Sequence, residues 1–224
     1  MKKITFLLAA LLPALLPNVA AAEGDWAFTG KVGTMGLGAE FTTRLADTAN
    51  LRFGLNGWDL DSSRKEKGVD YDATFRQRSA SLIGDMFPIQ DSVFRLSLGI
   101  FYNDNRLDMT AKPNNGGNYE FQGNTYTAAQ IGTLTGRLTV NKASPYLGVG
   151  WGNAFAKERG WSFALDVGAL YQGKPKFALS SNSAYCNANA TCQTDIANQQ
   201  QETESDMRSW RWYPVVSAGA AFRF

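Results

Sequence analysis

The last fifteen residues, Trp210 to Phe224, constrain this chain more than any other stretch. Counted back from Phe224, every second residue is apolar or small: Phe222, Ala220, Ala218, Val216, Pro214, Trp212 and Trp210. Between them stand Arg223, Ala221, Gly219, Ser217, Val215, Tyr213 and Arg211. A strand turns successive side chains to opposite faces, so this segment predicts one oily face and one mostly small or polar face. Aromatic residues sit at both ends of the oily face, where a membrane-crossing strand meets its two lipid–water interfaces.

The same two-residue rhythm recurs upstream. It predicts strands over Trp26–Thr34, Leu37–Leu45, Leu51–Asp59, Tyr71–Phe87, Phe94–Asn103, Pro145–Asn153 and Trp161–Tyr171. The fifth is the cleanest, with Phe94, Leu96, Leu98, Ile100 and Tyr102 set against Arg95, Ser97, Gly99 and Asn103. The upper half of the fourth, with Arg76 and Arg78, is too polar for lipid and is expected to rise above it. Short turns are expected at Met35-Gly36, Ala46–Asn50, Pro88–Asp91 and Ala156–Gly160. Longer excursions are expected at Asp61–Asp70, Asn103–Ser144 and Gly173–Ser209. Asn115-Gly116 is a hairpin-turn signal within the second excursion. Residues 131–140 read equally as a lower strand or as loop. The expected fold is all-β: an eight-stranded antiparallel transmembrane β-barrel with long extracellular loops.

The N-terminus agrees with export. Lys2 and Lys3 precede an apolar run, Ile4 to Leu16, and Ala20-Ala21-Ala22 offers a cleavage site, so residues 1–22 read as a signal peptide and 23–224 as the barrel. Without Lys2 and Lys3 the 22 basic residues become 20, against 20 acidic ones. That neutral balance argues against a nucleic-acid partner. Cys186 and Cys192 lie close together in a polar stretch, and in an exported chain they predict a disulfide rather than a metal site. The chain has no His, hence no usual general base near neutral pH. No carboxylate pair is singled out by spacing. The glycines Gly33, Gly36 and Gly38 lie between two strands and open no helix, so they make no nucleotide site. The chain is read as a non-enzyme with no cofactor.

Several segments, in order, resemble the CarO family of ornithine-uptake porins. They are Lys31-Val-Gly-Thr-Met-Gly-Leu-Gly, Leu51-Arg-Phe-Gly-Leu-Asn-Gly, Gly123-Asn-Thr-Tyr126, Pro145-Tyr-Leu-Gly-Val-Gly-Trp-Gly, the stretch from Trp161 through Gly-Ala-Leu-Tyr-Gln-Gly-Lys-Pro-Lys, and Trp-Tyr-Pro-Val in the final strand. The resemblance implies an eight-stranded outer-membrane barrel tied to uptake of small basic amino acids such as ornithine, and in some bacteria to carbapenem uptake. It carries over no binding residue, and the Cys186/Cys192 pair has no place in it. A terminal Phe on such a strand, here Phe224, resembles the signal read by the barrel-assembly machinery.

By parity, Lys31, Glu40, Arg44, Arg52, Asp85, Arg95, Asp166 and Arg223 face the bore. Eight strands enclose a space just wide enough for side chains, so these charges predict a salt-bridged plug. The alternative is a polar path in which a carboxylate meets an ammonium group of the solute and an Arg meets its carboxylate. In the loops, Tyr102, Tyr119, Phe121 and Tyr126, with Asp104 and Asp108, are candidates for a capture cup; the plainer expectation is that the aromatics pack a hairpin or the interfacial belt. Two functions follow: a porin-like channel for small polar solutes, or a closed OmpA/OmpW-like barrel whose loops bind a partner. Expected partners are outer-membrane lipid, lipopolysaccharide, the assembly machinery and a small polar solute, with the protein a monomer.

Overall fold

The computed structural model describes residues 26–66, 69–89, 92–113, 117–156 and 159–224. The expected signal peptide, the Asn115-Gly116 turn and parts of the Pro88–Asp91 and Ala156–Gly160 turns lie outside the described residues. The strands run in chain order as β1 (Trp26–Gly33), β2 (Gly36–Ala46), β3 (Ala49–Glu66), β4 (Val69–Met86), β5 (Phe94–Asn103) and β6 (Arg106–Pro113). Next come β7 (Asn118–Phe121), β8 (Asn124–Thr127), α1 (Ala128–Ile131), β9 (Leu134–Thr139), β10 (Ala143–Trp151), β11 (Gly160–Tyr171) and β12 (Lys176–Ser181). Then follow α2 (Ala184–Ala188), α3 (Ala190–Asp206), a short 3-10 turn at Met207–Ser209, and β13 (Trp212–Arg223).

Eight strands close into an antiparallel ring. The order is β1, β2, β3, β4, β5, β10, β11 and β13, and β13 pairs back onto β1. Closure leaves no unpaired backbone edge in lipid, which is what lets a sheet span a bilayer. The side chains follow the two-residue rhythm. Phe28, Val32, Phe53, Leu55, Leu98, Leu147 and Phe163 are exposed on the outer wall, Phe163 by 84%. Thr29, Glu40, Arg52, Asp85, Ser97 and Asp166 are buried inside. The narrow bore also needs its glycines. A Cβ on Gly148 or Gly168 would fall 2.2 or 2.6 Å from the Tyr146 hydroxyl, so these two positions make room for that inward ring.

Two of the ring strands, β3 and β4, continue above the membrane while the other six stop. The lower part of β4 pairs β5, but its upper part, Val69 to Arg76, pairs β6; β6 then pairs β9, and β9 pairs β12. The result is a one-sided sheet, β3-β4-β6-β9-β12, standing on the barrel. This corrects the Asp61–Asp70 loop: β3 and β4 pair as far as Glu66 and Val69, so the charged tract is the top of a tall hairpin. Once above lipid, alternation no longer has to read oily against polar, and polar residues such as Ser62 and Ser63 serve as strand. Residues 134–139 form β9 of this upper sheet, so the ambiguous 131–140 segment does not cross the membrane.

A lid covers the top of the sheet's inner face. Tyr119, Phe121, Tyr126, Ile131, Ile196 and the Cys186–Cys192 disulfide form its core, together with Val69, Ala111 and Leu134 of the sheet. The excursion at Gly173–Ser209 is thus not loop throughout: it holds β12, α2 and α3. The helix α3 starts at Asn189, whose side chain accepts a hydrogen bond from Cys192 N at 3.0 Å, a standard N-terminal cap. It also covers the sheet edge. Glu204 and Gln200, one turn apart, accept hydrogen bonds from the Phe177 and Leu179 amides of β12 at 3.0 and 3.2 Å.

Candidate functional site in the bore

The ring brings six of the eight inward charges into one cluster. Lys31 on β1 pairs with Glu40 on β2. Arg52 on β3 lies 3.1 Å from Glu40, 2.7 Å from Asp85 on β4 and 3.1 Å from Asp166 on β11. Arg95 on β5 lies 2.9 Å from Asp166 and 3.7 Å from Asp85, and it donates to the Gly152 carbonyl. Ser97 adds a hydrogen bond to Asp85 at 2.6 Å. Three cations, Lys31, Arg52 and Arg95, thus face three carboxylates, Glu40, Asp85 and Asp166. Charges so deeply buried persist only when paired, and here each has at least one opposite partner.

Arg44 and Arg223 stand apart from this cluster. Their guanidinium groups lie 4.9 and 5.3 Å from the centre of the Phe155 ring, in the turn between β10 and β11. Both also donate to the Phe155 carbonyl, at 3.1 and 3.5 Å. On the outer side of the charges, the bore is filled by Met35, Ile83, Phe101, Tyr146, Leu170 and Val215, all buried. The gap bordering the network, beside Thr42, Asn50 and Ala154, has a volume of about 20 Å³. That is room for about one water. In this state the bore is shut twice, by ion pairs and by an apolar layer.

Sequence reasoning found the charges but not the apolar layer or Phe155. The signal for the layer was present: Ile83, Phe101, Tyr146, Leu170 and Val215 are large apolar residues at inward parity, where a water-filled path would want polar ones.

The loop candidates do not converge. Tyr119, Phe121 and Tyr126 meet as a buried stack, with the first two rings 6.0 Å apart. Tyr102 instead faces outward from β5, with the Lys142 ammonium 5.9 Å from its ring. Asp104 lies between β5 and β6, and Asp108 is on the outer sheet face, paired with Arg137 at 2.6 Å and Arg106 at 3.2 Å. These six residues therefore form no single cup, because aromatic packing in the lid and charge pairing on the sheet claim them separately.

No protein-family model and no curated protein matches the sequence. Solved structures do. The fold is similar to that of Acinetobacter baumannii CarO2, with a TM-score of 0.59 and 25% identity over 89% of this chain and 98% of that one. The chain has the fold of a CarO-type outer-membrane β-barrel. Acinetobacter baumannii CarO is also similar, with a TM-score of 0.56 and 21% identity over 90% of this chain and 98% of that one. The location of this barrel is the Gram-negative outer membrane.

Proposed function

We propose that this barrel admits small polar solutes, basic amino acids such as ornithine among them, through a bore that is closed at rest and opens only when its central ion pairs part. The carrying observation is that a buried section of the bore is closed by matched charges. A solute bearing both an ammonium and a carboxylate group could replace Arg52 or Arg95 at one carboxylate while meeting a guanidinium with its own. The protein performs no chemistry in this reading. Proteoliposome uptake of labelled ornithine and planar-bilayer conductance test it together: slow saturable uptake without a steady open-channel current is the expected pair. Uptake no faster than in empty liposomes would overturn it.

A second reading is favoured by the upper sheet and lid. The bore is occluded, and the tall one-sided sheet presents a charged outer face to the cell exterior. In that reading the ring is a closed anchor, and lipopolysaccharide or another surface partner binds the exterior part. Absence of uptake would leave this reading standing. Recognition of Phe224 by the assembly machinery is a separate proposal, tested by the yield of folded Phe224→Ala protein in the outer membrane.

A further inference from the structure

The inner face of the upper sheet holds an apolar hollow with no part in the bore. Its volume is about 210 Å³, and its lining includes Tyr71, Met109, Leu134, Phe177 and Leu179 over a floor at Gly136. The floor is low because a Cβ on Gly136 would press to 3.0 Å from the Phe177 ring. The hollow borders the lid core through Ala111 and Leu134, while Tyr71, 44% exposed, marks its open side. A cavity of about 150 Å³ already takes benzene, so this one fits a single aromatic ring with a short substituent. A charge stands beside its open side, on the neighbouring strand. Arg64 is the cross-strand partner of Tyr71 and shares the inner-face parity of Arg52 and Asn56. Directly opposed residues hold their Cβ atoms about 5 Å apart, within easy reach for a long side chain. Among the described residues Arg64 has no ion pair, whereas Arg76, Arg78, Arg106 and Arg137 on the same sheet each have one.

We propose that this hollow binds a small aromatic carboxylate at the cell surface, with the ring in the Met109–Phe177–Leu179 pocket and the carboxylate against Arg64. The ring supplies affinity by leaving water; the exposed guanidinium selects the anionic end. The site lies outside the ring, so it stands independently of solute passage.

The test is saturation-transfer NMR on the full barrel in lipid nanodiscs, with phenylacetate and benzyl alcohol as probes. Both should bind saturably, phenylacetate more tightly. Ala73→Phe, which fills the hollow from β4, should weaken both by about tenfold or more. Arg64→Gln should weaken phenylacetate about two- to fivefold and leave benzyl alcohol unchanged. If Ala73→Phe does not fold, Leu179→Gln replaces it with the same expectation. Absence of phenylacetate binding to the wild-type barrel, or binding unchanged by filling the hollow, overturns the site. Equal loss of both probes in Arg64→Gln overturns the role of the charge.

Discussion

Arg52 grips both carboxylate oxygens of Asp166, at 3.1 and 3.2 Å, from the opposite wall of the ring. The strands that carry them, β3 and β11, stand four places apart in a ring of eight, so this pair is a crossbar over the full width of the bore. The fork geometry of a guanidinium suits a planar carboxylate, which makes the bar directional as well as charged. Among the described residues Arg52 is also the one cation within reach of all three carboxylates.

Removing that cation should be costly. Arg52→Met leaves Glu40, Asp85 and Asp166 with only Lys31 and Arg95, and losing one member of a buried pair costs about 3–5 kcal/mol. The expected outcome is a lower midpoint of urea unfolding, read from the heat-dependent gel mobility of the folded barrel. Adding Asp166→Asn should recover part of the loss, because it removes one uncompensated charge. A midpoint equal to the wild type's in Arg52→Met would contradict the crossbar.

The second prediction concerns a glycine. A Cβ on Gly150 would lie 2.7 Å from Arg95 Nε and 2.8 Å from the Leu165 carbonyl oxygen. Gly150→Ala should therefore push Arg95 off Asp166 and strain the β10–β11 ladder, a destabilisation of about 1–3 kcal/mol. The double variant with Arg95→Ala should lose less than the sum of the two single changes, since the side chain being displaced is gone. Additive losses would mean that the backbone clash alone matters.

The lid offers a pH test outside the membrane. Tyr126 donates to Asp195 at 2.5 Å and Asn124 donates to it at 2.8 Å, joining β8 to α3. These bonds hold the Asp195 carboxyl below its ordinary value of 3.8. The bond to Asp195, with burial, pushes the Tyr126 hydroxyl from 10.0 up to about 12. The contribution of a lowered acid is present above its unfolded value and fades as pH falls through the folded one; that of a raised hydroxyl is present below 10 and fades as pH climbs towards 12. Hydrogen exchange of α3 amides should thus be evenly protected, after correction for intrinsic rates, between about pH 5 and 9, with protection falling on either side. Tyr126→Phe should lessen the alkaline fall, leaving the part due to the buried Tyr119 hydroxyl, and move the acid one to higher pH.

Reduction of Cys186–Cys192 should loosen the lid and spare the ring. The bond closes a loop of sequence separation 6 between α2 and α3. So small a loop is worth about 2 kcal/mol in chain entropy. Limited proteolysis under reducing conditions should cut within 184–209 while the barrel keeps its folded gel mobility. Loss of that mobility would show that the lid supports the ring.

The ring was legible because lipid imposes a strict rule. Phe94 to Tyr102 must show oil on every second residue, so the inward position of Arg95 follows from the outward positions of Leu96 and Leu98. The same rule marked Arg52, Asp85 and Asp166 as companions long before any distance was known. It gave no help above the membrane, where Ser62-Ser63 pairs as strand as well as any valine does. Helix α3 was equally obscure: ATCQTDIANQQQETESD is polar on nearly every side, and only Cys192, Asp195 and Ile196 are buried. The absence of Gly and Pro from 190–206, with Asn189 ahead of it, was the signal available.

The stacking of Trp26 on Phe224, with ring centres 4.4 Å apart, places the opening strand beside the closing one. Hence no fragment lacking either strand can shut the cylinder, however much of it has reached the bilayer. Any form without that seam exposes two raw flanks, and something must shield them until they meet. Closure is thereby a condition on both ends of the chain: this wall is complete only when its first and last staves join.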